Sequence, residues 1–202
     1  MSIITKIESQ TKNKDRVNIY LDGEFALGCS LEIALNNHLK ENVEITEDKL
    51  KSLVFENEKS VALNKAVTLI GKNLKTKKQL KTYLKGKGYD DQIINYVLEK
   101  LIEYNYINDL NYATIYVRSV KHKYGKLKIE NELKLKGINE SDINLVLQEF
   151  ESDEESVRGL AEKYLKNKEI TQENLSKLYR FLISKGFEFD LVSNVVKSFK
   201  EN

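Results

Sequence analysis

Residues suited to a strand fall on alternate positions near the start of the chain, at Ile3, Thr5 and Ile7 and again at Val17, Ile19 and Leu21. A period of two belongs to a half-buried β-strand. Asp22-Gly23 follows the second run and accommodates the positive φ angles of a tight hairpin, with Glu24-Phe25-Ala26-Leu27-Gly28 as the returning strand. A three-stranded antiparallel meander is therefore predicted. Ser30 can cap a short helix reaching Leu39, and Thr46 can cap another whose Leu50, Leu53 and Val54 share one face. Together these elements predict a small α+β unit over residues 1–57.

From about residue 58 the pattern changes to a helical one, and it repeats. Gly88, Gly137 and Gly186 are separated by 49 residues each time, and such regularity marks tandem structural units. Four residues before each glycine stands Leu84, Leu133 or Leu182, and eight before it stands Leu80, Ile129 or Leu178. That spacing places each pair on one helical face. After the glycines, Ile94, Ile143 and Val192 match, as do Val97, Val146 and Val195, then Leu98, Leu147 and Val196, then Leu101, Phe150 and Phe199. The glycines read as helix-ending positions in the left-handed conformation, which costs least without a Cβ. A first helix around Ala62–Val67, Tyr112–Val117 or Leu160–Leu165 precedes each middle helix. Thr76-x-x-Gln79 has the form of a capping box, and Asn108-Asp109 offers another cap. The fold class is thus mainly α: three tandem three-helix repeats over 58–106, 107–153 and 154–202, expected to form an elongated or curved array. Packing between the helices accounts for nearly all of these apolar positions.

Composition agrees with long helices and narrows the chemistry. Among 202 residues there is no proline, where average usage of about 5% would supply about ten. Cys29 is the single cysteine and His38 and His122 are the only histidines, so an internal disulfide and a structural zinc site are excluded. No metal or cofactor is expected. No apolar run approaches the roughly 18 residues of a membrane span, and the start lacks a signal peptide's form, so a cytoplasmic protein with no membrane association is predicted.

Motifs for nucleotide loops, nucleophile elbows and metalloprotease helices are absent from the sequence. Asp90-Asp91 reads as acids at a helix start, Cys29 as a small buried residue, His38 as a helix-end residue and His122 as part of a basic cluster. A protein that is not an enzyme is expected.

Charge is more informative than its total of +2. Residues 1–58 carry 7 bases and 11 acids, whereas residues 59–107 carry 10 bases and 4 acids, a local excess of +6. Lys72, Lys75, Lys77, Lys78, Lys81, Lys85 and Lys87 all precede the first acid of that stretch after residue 58. Lys77, Lys81 and Lys85 are spaced by four and should form one exposed ridge beside the Leu80 and Leu84 stripe. A second group comprises Arg118, Lys121, His122, Lys123, Tyr124, Lys126 and Lys128, where Tyr124 offers a ring for stacking on a base or peptide. An anionic partner, nucleic acid or an acidic protein surface, suits these groups, although lysine-rich faces are also simply solvated.

The motifs in order resemble those of the RecX family, the bacterial regulators of the RecA recombinase. The resemblance rests on Lys75-Thr76-Lys77-Lys78-Gln79-Leu80 with Tyr83-Leu84-x-x-Lys87-Gly88-Tyr89, on Tyr104-x-Tyr106-Ile107-Asn108-Asp109 with Tyr112-Ala113, and on Leu133-x-x-Lys136-Gly137-Ile138. The hairpin-bearing start resembles the extension of Gram-positive members. Relatives often carry Arg followed by Ser or Thr, then Glu-Leu, where this chain has Lys75-Thr76 and Gln79-Leu80. The resemblance implies a non-enzymatic modulator, mostly inhibitory, that lodges in the groove of the RecA filament on single-stranded DNA. There it would restrain filament growth, ATP hydrolysis and strand exchange, damping recombinational DNA repair and the SOS response. The implied partners are the RecA filament and single-stranded DNA, and a monomer is expected. On the charge pattern, the expected contact residues are Lys75, Lys77, Lys78, Lys81 and Lys85 with Arg118, Lys121, Lys123, Tyr124, Lys126 and Lys128. Two other readings are a helix-turn-helix-like DNA-binding regulator and an adaptor that binds only proteins.

Overall fold

The computed structural model describes residues 1–148 and 150–200. Strand β1 (Ser2–Ser9) pairs antiparallel with β2 (Arg16–Leu21), which pairs antiparallel with β3 (Glu24–Ser30). At the turn Asp22 and Gly23 take φ of +51° and +89°, the two positive values that a two-residue hairpin needs. The predicted meander is incomplete, however. A two-residue strand β4 (Glu44–Ile45) pairs with the outer side of β1, giving a four-stranded sheet in the order β3-β2-β1-β4. So short a strand leaves no periodic signal, and only the return of the chain after helix α1 (Leu31–Asn36) brings it to that edge.

The alternation in β1 also needs correcting. Ile4, not Ile3, is buried against the sheet core, while Ile3 is exposed. The register slips between Ile4 and Lys6. A bulge of one residue resets which face later side chains occupy, so Ile4 and Ile7 both turn to the core despite their odd separation. That core gathers Val17, Ile19, Leu27 and Cys29 with Ile33 of α1 and Leu53 of the next helix. Ser30 caps α1 as expected, accepting from the Ile33 amide, but the helix stops at Asn36 rather than Leu39. His38 follows in the left-handed region at φ +51°.

Helix α2 (Glu47–Ile70) is capped by Thr46 and runs without a break through 57 and 58, where the first repeat was expected to begin. One helix therefore serves both the sheet, through Leu53, and the repeat, through buried Ala62 and Ala66. The first repeat continues with α3 (Lys77–Gly86) and α4 (Asp91–Glu103). The second has α5 (Asp109–Val120), α6 (Lys126–Lys136) and α7 (Glu140–Leu147), and the third α8 (Glu154–Leu165), α9 (Gln172–Ser184) and α10 (Phe189–Ser198). The six stripe residues of the middle helices, Leu80, Leu84, Ile129, Leu133, Leu178 and Leu182, are all fully buried.

By packing, the described chain divides into a unit of residues 1–73 and 81–106 and a unit of residues 74–80 and 107 onward. The first turn of α3 thus belongs with the second and third repeats, and the hydrogen bonds say why. Thr76 forms the expected capping box with Gln79, its amide donating to Gln79 Oε1 at 3.1 Å and its Oγ1 accepting from the Gln79 amide at 3.2 Å. The Thr76 hydroxyl then donates to the Lys136 carbonyl at 2.7 Å, and Lys78 Nζ donates to the Leu135 carbonyl at 3.1 Å. One repeat later the Gly125 amide donates to the Lys185 carbonyl at 3.0 Å. The start of one middle helix therefore sits on the end of the next, positive pole on negative pole.

This arrangement explains an oddity of the sequence. All the other described helices carry an acid in the first turn, but α3 and α6 carry none and begin with lysines. Carbonyls at the end of the following helix meet their amino ends instead, and for α3 the Asp109 carboxylate accepts from the Lys77 amide at 2.9 Å. Helix α9 has the usual arrangement, with Thr171 as cap and Glu173 in its first turn.

Candidate partner interface

Helix α3 presents Lys77, Lys81 and Lys85 as an exposed row one turn apart. The helix forms because Thr76 and Gln79 satisfy its first amides, and it ends where Gly88 turns left-handed at φ +85°. Among the described residues no ion pair engages these three lysines. The expected ridge is present as a geometric feature. Lys78 differs, since its ammonium is bonded to the Leu135 carbonyl and its stem fills the space beside Gly137. Lys75 is half-buried just ahead of the buried cap residue Thr76.

The second group is spread over two helices and the turn between them. Arg118, Lys121 and Lys123 are exposed at the carboxyl end of α5, where cations also complement the helix dipole. Lys126 and Lys128 are half-buried in the first turn of α6. Lys128 approaches Glu132 at 3.8 Å. Tyr124 packs against the second repeat's core, with Lys185 Nζ 5.3 Å and Lys128 Nζ 5.9 Å from its ring centre. Two lysines of its own chain already adjoin that ring.

His122 has partners that its neighbours in sequence do not reveal. Its Nδ1 lies 2.8 Å from Ser156 Oγ and 3.5 Å from Asp153 Oδ2. A catalytic relay needs the imidazole between serine and carboxylate, using both ring nitrogens. Here one nitrogen faces both groups, and the Ser156 hydroxyl donates directly to Asp153. Bonds from the Ser156 hydroxyl and amide hold the Asp153 carboxyl below the usual carboxylate range; Asp153 is the cap of α8. Asp90 likewise caps α4, accepting from the Ile93 amide at 2.8 Å. Cys29 is fully buried and burial raises its thiol pKa, the opposite of nucleophile activation. Among the described residues no group of three or more His, Cys, Asp or Glu side chains is placed to hold a metal, and no helix is long and apolar enough to cross a membrane.

A second basic feature had no sequence signal. A groove of about 350 Å³ in the first unit brings Arg16 of β2 together with Lys65 of α2, Lys72 just beyond it, and Tyr83 of α3. Lys72 belongs to the acid-free run, but Arg16 lies far upstream on a strand and Lys65 among ordinary helix residues, so only folding joins them.

Four family models match in order along the chain: the regulatory protein RecX N-terminal domain at residues 2–46, then the first, second and third three-helix domains of RecX at 62–101, 108–147 and 151–196. The chain belongs to the RecX family. The regulatory protein RecX of Clostridium beijerinckii is 38% identical, over 98% of this chain and 95% of that protein. That of Clostridium perfringens is 35% identical, over 100% and 98%. A crystal structure of a regulatory protein RecX covers both chains fully at a TM-score of 0.72 and 26% identity. A crystal structure of RecX from Lactobacillus salivarius covers 73% of this chain and 99% of that one, with a TM-score of 0.61 and 25% identity. Within this RecX chain, residues 47–61 lie between the first two family matches and belong to α2.

Proposed function

We propose that this RecX protein restrains the RecA recombinase by lodging in the groove of its filament on single-stranded DNA, limiting filament growth, ATP hydrolysis and strand exchange. In the cytoplasm it would thereby damp recombinational repair and the SOS response, acting as a binding protein and not as an enzyme. The observation that carries this reading is the row of Lys77, Lys81 and Lys85, exposed and outside any described ion pair, on a chain of regulatory family. Lys75, Arg118, Lys121, Lys123, Lys126 and Lys128 would support it. Exposed cations of this kind meet acidic side chains or phosphates.

The test titrates the protein into RecA's DNA-dependent ATPase while filament length is followed by microscopy. Both should fall, and a variant with Lys77, Lys81 and Lys85 replaced by Ala should restrain RecA less while its stability changes by at most about 0.5 kcal/mol. For every lysine that neutralises a phosphate, replacement by Ala should lower the salt slope of single-strand affinity by about 0.7, whereas binding to protein alone would spare that slope. ATPase rate and filament length unchanged at equimolar protein would refute the assignment.

A further inference from the structure

We infer that the groove between β2, α2 and α3 is a nucleotide-binding seat, taking a nucleoside phosphate either as one unit of a single strand or as a free nucleotide. It is separate from the lysine row of α3 and shares no residue with it. The inference stands without the RecA reading and would give the protein a grip on a strand that needs no recombinase.

The cations converge from three places in the chain. Arg16 is half-buried on β2, Lys65 is exposed on α2, and Lys72 follows the end of that helix. No acidic residue lines the groove, and among the described residues none of the three cations has an ion pair within 4 Å. Three like charges facing one concavity repel each other, and an anion placed among them relieves that repulsion. Arg16 is fixed for the purpose: one Nη2 proton goes to the Gly28 carbonyl at 2.7 Å, which orients the planar fork and leaves its other protons to offer. Lys65 Nζ lies 5.2 Å from the Tyr89 ring centre, a contact that orders this lysine.

The rest of the lining selects among anions. Val61 and Leu69 give the groove apolar side chains, and Tyr83 adds an aromatic ring. A carboxylate side chain needs only the cations. A nucleotide joins a phosphate to a flat ring with apolar faces, and rings stack on aromatic side chains at roughly 1–3 kcal/mol per base. The volume of about 350 Å³ lies in the lower part of the range for small-ligand sites, roughly 300–1,000 Å³.

The test measures anisotropy of fluorescent oligothymidylate and of a fluorescent ADP, each with the full chain across a salt series. The main variant replaces Lys65 and Lys72 by Ala, both exposed, with folding checked by circular dichroism; Tyr83→Leu is the second. With two fewer cations on the phosphates, the oligonucleotide salt slope should fall by about 1.4, at about 0.7 each, and Tyr83→Leu should weaken binding while sparing the slope. Loss with the oligonucleotide alone assigns the seat to a strand, and loss with ADP assigns it to free nucleotide. Unchanged affinity for both probes in folded variants would overturn the proposal. RecA ATPase is measured on the same variants: a wild-type chain that leaves RecA untouched yet loses nucleotide binding on replacement of Lys65 and Lys72 would sink the regulatory reading and keep this site.

Discussion

Gly88 and Gly186 close equivalent helices with nearly the same backbone, φ +85° and +83°. Their surroundings differ. Nothing lies within 4 Å of a methyl group placed on Gly88, whereas one on Gly186 would overlap the backbone of Lys128, and one on Gly137 would come 2.5 Å from Lys78 Cβ. Gly137 and Gly186 are required twice over, once for a left-handed turn and once because the preceding middle helix rests on them. Gly88 is required only for the turn. A sequence period of 49 residues thus hides two mechanical roles, and the docking that separates them also explains why α3 and α6 lack acids in their first turns.

The comparison breaks most visibly at Gly186→Ala. Strain from the left-handed backbone, about 1–2 kcal/mol, adds to overpacking of about 1–3 kcal/mol, so the full-length protein should lose about 2–5 kcal/mol in thermal or urea unfolding. A loss no greater than that of Gly88→Ala would show that the junction relaxes freely.

Thr76→Ala should come next. It removes a cap, worth about 1 kcal/mol, and leaves the Lys136 carbonyl without its donor, for a total of about 2–3 kcal/mol. Asn108→Ala is the control, since Asn108 caps α5 through the Asn111 amide alone and should cost only about 1 kcal/mol. Equal losses in the two variants by urea titration would mean that the Thr76 hydroxyl contributes nothing beyond its own helix.

Gly88→Ala should cost less than Gly186→Ala, at about 1–2 kcal/mol from backbone conformation alone. Hydrogen exchange sharpens this one: the change should raise exchange near the end of α3 and leave the α6 and α9 amides as they were. Faster exchange at Gly125 or Ile129 would show coupling that the open surroundings of Gly88 do not predict.

The sequence by itself determined whatever depends on local periodicity. The hairpin at Asp22-Gly23, the buried stripes from Leu80 to Leu182, the three left-handed glycines, the capping box at Thr76 and the lysine row of α3 all follow from spacing, because each is written within a few turns of one element. Tertiary structure decided the rest. Strand β4 is too short to have a period, the bulge after Ile4 leaves no mark in composition, and α2 fuses two patterns read apart because nothing in its sequence breaks the helix between them. The meetings of Thr76 with Lys136, of Gly125 with Gly186, of His122 with Ser156 and of Arg16 with Lys65 and Lys72 join residues distant in the chain. No local propensity encodes such pairs; they exist only once burial of the apolar stripes has fixed which helix end lies beside which.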